Sequence, residues 1–299
     1  MIIPDLAELA ALRGAVRGLS LYAHRPVMAQ LQGAHRSAQR GRGLEFEEVR
    51  LYAPGDDARN IDWRVTARRG RLHTRLYREE RERPVWLVVD VHPGLFFGSR
   101  RQLKSALLVR TAAMLAWVAA QGGDRVGAVI FDGGEEPLVF PPKSRKAGVL
   151  PILEALVEIQ PRAPGMPASG FQKAVAMLHP LLKPGSMILL LSDFADFPLA
   201  AKDLLASAAQ HSDCRLIWIT DPIEEKGLPG GNHRVGLPGR VWWMNGEAAR
   251  HSWQDAWRAR ERMLKELSMR LNVPLVRLDT HDDEIARMMR LLKEPRWAA

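Results

Sequence analysis

The sequence predicts an α/β fold: a doubly wound, mostly parallel, Rossmann-like sheet preceded by an N-terminal helical and β arm. Three observations carry this expectation. From Pro84 onward, short continuous apolar runs alternate with segments of helical length. The runs are apolar on both strand faces, as a sheet covered by helices on both sides requires. Before Pro84 the pattern differs, with a helical stretch followed by two alternating segments around an acidic turn.

Taken in order, LAELAALRGAVRGL spaces its apolar residues for a helix, and the basic stretch HRSAQRGRG ends it near residue 40. In LEFEEVRLY, residues Leu44, Phe46, Val49 and Leu51 alternate with one slip, and APGDDARN forms a turn. RLHTRLYRE alternates again through Leu72, Thr74 and Leu76, so 44–80 should hold two extended segments around a structured acidic connection. Beyond Pro84 the strand candidates are PVWLVVDV, RVGAVIF, SMILLLSD, CRLIWIT and VPLVRL. Helices are expected at 100–121, 145–159, 169–182, 198–211, 250–271 and 282–293. Residues 222–250 should form an insertion with a short hairpin or edge strand, in which Trp242 and Trp243 face opposite sides. The expected domains are therefore 1–83 and 84–299.

With 299 residues and 46% hydrophobic content, the chain can bury a sizeable core. The net charge of +9 permits nucleic-acid or anionic-surface binding, yet its distribution is uneven. Residues 1–83 hold 16 arginines and no lysine against 11 acids. Arg64, Arg68, Arg69, Arg71, Arg75 and Arg78 follow one another with no acid between them. Arginine's planar fork suits bidentate pairing with carboxylate or phosphate. If this run is extended, Arg68 and Arg69 point apart and dilute any basic stripe, which leaves nucleic-acid binding as an alternative.

The N-terminus MIIPDLAELAALRG has no basic lead and carries Asp5 and Glu8, unlike a signal peptide. Residues 104–120 are interrupted by Arg110 and fall short of the roughly 18 apolar residues a membrane helix needs. A cytoplasmic protein without a membrane span is expected. The single Cys214 excludes an intrachain disulfide and a multi-thiolate zinc site, and its place in CRLIWIT predicts burial. No GxxxxGK[ST], GxSxG, HExxH or GxGxxG occurs. Asp56 with Asp57, and Asp282 with Asp283, read as solvated loop charges. The expectation is a non-enzymatic protein, with a hydrolase as the lower alternative.

Ligands of doubly wound sheets sit beyond the carboxyl ends of the strands, and here Asp90, Asp193 and Asp221 stand at those ends. Asp221 precedes proline and reads as a turn starter.

The stretch 41–90 resembles the signature of a bacterial family known as domain of unknown function 58. The matching positions are Gly43, Glu45, Phe46, Arg50, Tyr52, Pro54, Gly55, Asp56, Asp57, Arg59, Ile61, Asp62, Trp63, Ala67 and Arg68. DRVGAVIF, LLLSDF and TDPIE extend the resemblance over nearly the whole chain. It implies a von Willebrand factor A-like fold and work beside a MoxR-type AAA+ ATPase in chaperone-like maturation of a client protein.

Such a domain usually holds a divalent cation in a metal-ion-dependent adhesion site, built from a DxSxS strand end, a later Ser or Thr, and an Asp after another strand. Hydroxyls and carboxylates suit Mg²⁺ and leave one position for a partner's acid. Here Asp90-Val91-His92-Pro93-Gly94 replaces both serines, leaving Asp90, Asp193 and Ser169 in PASGF. The expectation is a degenerate, cofactor-free docking site comprising Asp90, His92, Gly94, Ser169 and Asp193. The alternatives are weak Mg²⁺ binding by Asp90 and Asp193, a softer ion such as Zn²⁺ with His92 added, or plain helix capping by the two aspartates. In the signature, Asp56, Asp57 and Asp62 are expected to hold Arg50, Arg59 and Arg68. The alternative there is a partner-binding face anchored by Trp63.

Overall fold

The computed structural model describes residues 3–21, 44–53, 58–79, 82–134, 136–166, 170–237 and 239–293. The chain divides into two compact units, Leu31–Glu82 and the remainder.

In the larger unit a six-stranded sheet is flanked by helices on both faces. Its strands are β3 (Pro84–Asp90), β4 (Arg125–Phe131), β5 (Leu138–Ser144), β6 (Met187–Ser192), β7 (Asp213–Thr220) and β10 (Leu275–Asp279), in the order β10-β7-β6-β3-β4-β5. All neighbours are parallel except β4 and β5. Strand alternation sorts side chains between two cores. Val85, Leu87 and Val89 join Leu189, Leu191, Ile217 and Ile219 on one side, and Trp86 and Val88 join Ile188, Leu190, Leu216 and Trp218 on the other. The five runs read as parallel strands form β3, β4, β6, β7 and β10 within one or two residues at each end. Cys214 is buried in the second core, as expected.

Helices α1 (Leu6–Ala15), α3 (Lys104–Gln121), α4 (Lys146–Ile159) and α9 (Glu284–Lys293) cover the first core. Helices α5 (Phe171–Leu178), α6 (Leu199–His211) and α8 (Gly246–Leu271) cover the second. In α3, 15 of 18 residues are buried, so this helix has neighbours on all sides and no solvent face. Its apolar sequence, which resembles a short membrane segment, is a packing requirement. No helix among the described residues is long and apolar enough to cross a membrane.

The expected boundary at residue 83 is corrected in one respect. Helix α1 belongs to the sheet unit: Leu9 and Leu12 enter its core, and Trp117 Nε1 of α3 donates to the Leu9 carbonyl at 3.0 Å. Strand β5 was not anticipated. It joins the edge of the sheet with Pro141 and Pro142 in its run, and the register shifts opposite Gly127 of β4. A Cβ at Gly127 would lie 2.7 Å from the Phe140 carbonyl oxygen, so only glycine admits this approach. The expected insertion contains a short helix α7 (Pro222–Lys226) and the hairpin β8 (Asn232–Leu237) with β9 (Arg240–Asn245). Trp242 and Trp243 are 45% and 75% exposed.

In the smaller unit, β1 (Leu44–Leu51) and β2 (His73–Glu79) pair antiparallel, and the slip in the β1 alternation is a register shift between Phe46 and Glu48. Between the strands lies α2 (Trp63–Arg69), where the sequence suggested a continuation of extended chain. Asp62 nucleates it, accepting from the amides of Arg64 and Val65 at 3.0 Å each, and Gly70 ends it in the left-handed region at φ 68°. Arg64 and Arg68, one helical turn apart, therefore share a face of α2.

Candidate functional site

Because β3, β6 and β7 run parallel, their carboxyl ends lie side by side, where Asp90 ends β3 and Asp193 and Asp221 follow β6 and β7. Asp90 is 3% exposed and accepts from Ser192 Oγ at 2.7 Å and from the His92 amide at 3.4 Å. Burial pushes its carboxyl up to about 7, against the nearby His92. His92 is 2% exposed, with Nε2 3.2 Å from Asp193 Oδ1 and 3.8 Å from Asp90 Oδ2. Burial acts to lower its pKa, but the Asp193 hydrogen bond and the Asp90 charge outweigh that and raise it.

The second oxygen of Asp193 accepts from Lys104 Nζ at 2.6 Å, and the same ammonium donates to Glu224 Oε1 at 2.9 Å. Lys104 is 3% exposed. Burial alone would discharge it, yet the two carboxylates hold its pKa above the ordinary lysine value. Burial likewise opposes ionisation of Asp193, and Lys104 with His92 reverses the balance, holding that carboxyl well below the usual range. Asp193 Oδ1 also accepts from the Ala195 amide at 3.0 Å. Glu224 links the cluster onward, with Oε1 3.5 Å from Arg260 and Oε2 accepting from the Asp221 amide at 2.9 Å.

Asp221 caps α7 through the Ile223 amide in a capping box with Glu224. It also takes hydrogen bonds from the Ser99 amide at 2.7 Å, from Ser99 Oγ, and from Thr280 Oγ1 at 2.5 Å. After Ser192, Phe194 adopts φ 51°, with its amide on Ser192 Oγ at 2.8 Å. That conformation is uncommon for a non-glycine residue. It turns the ring into an aromatic cluster with Phe171 and Phe197.

The structure thus gathers Asp90, His92 and Asp193, whose ligating atoms lie within 4.8 Å of one another. These residues do not fit a divalent cation. Gly94, in a turn at 93–95, supplies no side-chain donor, and both Asp193 oxygens are already engaged, Oδ1 by His92 and the Ala195 amide and Oδ2 by Lys104. Mg²⁺ needs about six oxygens in octahedral array, and a Zn²⁺ ion here would be repelled by the adjacent ammonium. Ser169, Asp56 and Asp57 lie outside the described residues. Of the other signature residues, Asp62 is buried as the α2 cap, Arg59 and Arg68 are exposed, Trp63 is 67% exposed, and Arg50 pairs across the strands with Thr74. Sequence reasoning missed Lys104, Ser192, Glu224 and Arg260. A lone lysine opening an apolar helix, and the glutamate of DPIE, were the available signals.

Residues 48–261 match the protein family described as "Protein of unknown function DUF58". "Uncharacterized protein Rv1480" of Mycobacterium tuberculosis and "Uncharacterized protein Mb1516" of Mycobacterium bovis are each 34% identical over 218 residues, covering 73% of this chain and 67% of the relative. Among solved structures, an aerotolerance-related membrane protein from Bacteroides fragilis is similar at TM-score 0.49 and 15% identity, covering 71% of this chain and 98% of that one. The conserved hypothetical protein BatB from Bacteroides thetaiotaomicron gives TM-score 0.44 and 14% identity over 71% and 98%.

Proposed function

This chain belongs to the domain of unknown function 58 family, and we propose that it is a non-enzymatic, cytoplasmic adaptor that docks partner proteins without a metal ion. In this reading the larger unit is von Willebrand factor A-like, and the strand-end cluster stands where such a domain would hold its cation. The partners are a MoxR-type AAA+ ATPase and a client protein, as the family resemblance implies.

One observation carries the reading: the Lys104 ammonium lies between Asp193 and Glu224 where a cation would otherwise be needed to neutralise the strand-end carboxylates. A tethered charge makes docking independent of metal supply. Asp90, His92, Lys104 and Asp193 are at most 3% exposed, so in this reading the cluster fixes the strand-end loops, and the loops rather than the buried charges meet the partner. The exposed Trp63 and the arginines of α2 offer a second face of the composition found in interface hot spots.

The test is co-purification with the MoxR-type ATPase of the same genome, combined with heat-unfolding scans in EDTA, Mg²⁺, Mn²⁺ and Zn²⁺. A complex that survives EDTA, and an unfolding midpoint unchanged by any ion, are expected. Lys104→Ala should convert the site into one whose midpoint rises with Mn²⁺ or Zn²⁺, because a ligand bound only to the folded state stabilises it. A wild-type midpoint that rises with Mg²⁺, or a complex that dissolves in EDTA, overturns the reading.

A further inference from the structure

Beside the strand-end cluster, the loop after β3, helix α7 and the start of α8 enclose a cleft of about 560 Å³. Its charged lining is Arg100, Lys226 and Arg250, and no acid lines it. All three side chains are exposed, and none stands within ion-pair distance of a carboxylate among the described residues.

The acids of α7 and its cap are already engaged, and Glu247 at the start of α8 lies against Gly230 outside the lining. Asp221 is held by Ser99, Ile223 and Thr280, Glu224 by Lys104 and Arg260, and Glu225 by Arg277 at 2.6 Å. Each carboxylate of α7 and its cap thus points to a fixed partner, which leaves the three cations of the cleft uncompensated. Gly227, at φ 80°, turns the chain after α7, and a Cβ there would lie 3.7 Å from Arg250 Cγ, so the bend sets Lys226 and Arg250 on the same opening.

The other walls are apolar: Pro222, Ile223, Leu228 and Pro229. This combination selects among anions. A single-stranded nucleic acid would need aromatic faces for base stacking, and the cleft lining has none. A phosphate backbone would leave the apolar walls in water. A peptide with acids interleaved among aliphatic residues satisfies both, since carboxylates meet the guanidinium and ammonium groups while aliphatic side chains cover proline and leucine.

We propose that this cleft binds a short acidic, aliphatic segment of a partner protein, anchored by Arg100, Lys226 and Arg250. The proposal rests on the adaptor reading and names the chemistry of its partner.

The test uses the full chain and fluorescence anisotropy with a fluorescein-labelled twelve-residue peptide of alternating Glu and Leu. A Lys-for-Glu peptide, a single-stranded oligonucleotide and inorganic phosphate as competitor provide the other arms. At near-physiological salt the acidic peptide should bind about tenfold or more tightly than the basic one. The double variant Arg100→Glu/Arg250→Glu should weaken it by about tenfold, whereas Arg101→Glu should change it by less than about twofold. Arg101 is exposed, pairs with Asp283 at 3.7 Å and does not line the cleft.

No preference between peptides, or an affinity indifferent to the double reversal, overturns the proposal. So does an oligonucleotide that binds more tightly and is lost in the same variant, or phosphate that displaces the peptide at millimolar concentration. The ATPase co-purification separates this failure from that of the adaptor reading. A complex that persists while the peptide fails to bind removes the cleft alone, and peptide binding without any complex removes the ATPase partner alone.

Discussion

The strand-end cluster and helix α2 use similar residue types under opposite conditions. From Asp90 to Arg260, each charge faces an opposite one within 4 Å, and the central members are nearly inaccessible to water. On α2, Arg64, Arg68 and Arg69 are exposed beside a Trp63 that is 67% exposed. Burial enforces pairing, because an isolated ion inside a protein costs several kcal/mol, on the order of what holds a domain folded. Water removes that demand, so basic residues gather on α2 at little cost. A charge count is thus uninformative until burial is known: the cationic excess of the first 83 residues says less about the site than the single Lys104 does.

The contrast breaks first at Lys104. Lys104→Met leaves Asp193 and Glu224 without their shared cation, and chemical denaturation should show a loss of about 3–5 kcal/mol. An equal loss for Arg68→Met would erase the distinction between the two regions.

The next largest effect is on pH dependence. Asp90 has a folded pKa raised to about 7 from 3.8, so the folded state holds its proton more tightly and stability falls as pH rises between those values. His92, also raised, contributes stability below its ordinary value of 6.5 that is lost as pH climbs through its folded pKa. Asp193 and Asp221, both lowered, contribute stability above 3.8 that is lost in acid. The unfolding midpoint should therefore be highest near pH 4 and decline from there to about pH 7, with His92 extending the decline above 6.5. Asp90→Asn should remove much of that decline, by an amount on the order of a few kcal/mol between pH 5 and 8. A midpoint that rises steadily to pH 8 contradicts this account.

Smaller effects sharpen the other side. Asp62→Ala removes the cap of α2 and should cost about 1 kcal/mol, read as loss of helical signal or faster proteolysis within Leu31–Glu82. Arg64→Gln with Arg68→Gln should leave stability within about 0.5 kcal/mol, since neither is buried.

What could be read from sequence follows the range of the forces involved. The parallel strands were visible because β3 and β6 are apolar at nearly every position and β7 carries the run LIWI, a local property. Helix α2 was not, because seven residues make two turns and WRVTARR shows no periodicity; its signals were the cap Asp62 and the stop Gly70. Strand β5 was hidden by its two prolines, which are tolerated only at an edge. Asp90, His92 and Asp193 were found because they end strands. Lys104 was missed because its partners lie 89 and 120 residues away, and no local pattern shows where its ammonium goes.

The edge made by β5 has a further bearing on how this protein meets others. An exposed strand is ordinarily an invitation for a second chain to hydrogen-bond alongside it and lengthen the sheet. At Pro141 and Pro142 the backbone has no N–H to offer, and the shifted register beside Gly127 breaks the regular spacing an incoming strand would need. The fold is therefore protected on that flank against stacking into fibrils or ribbons.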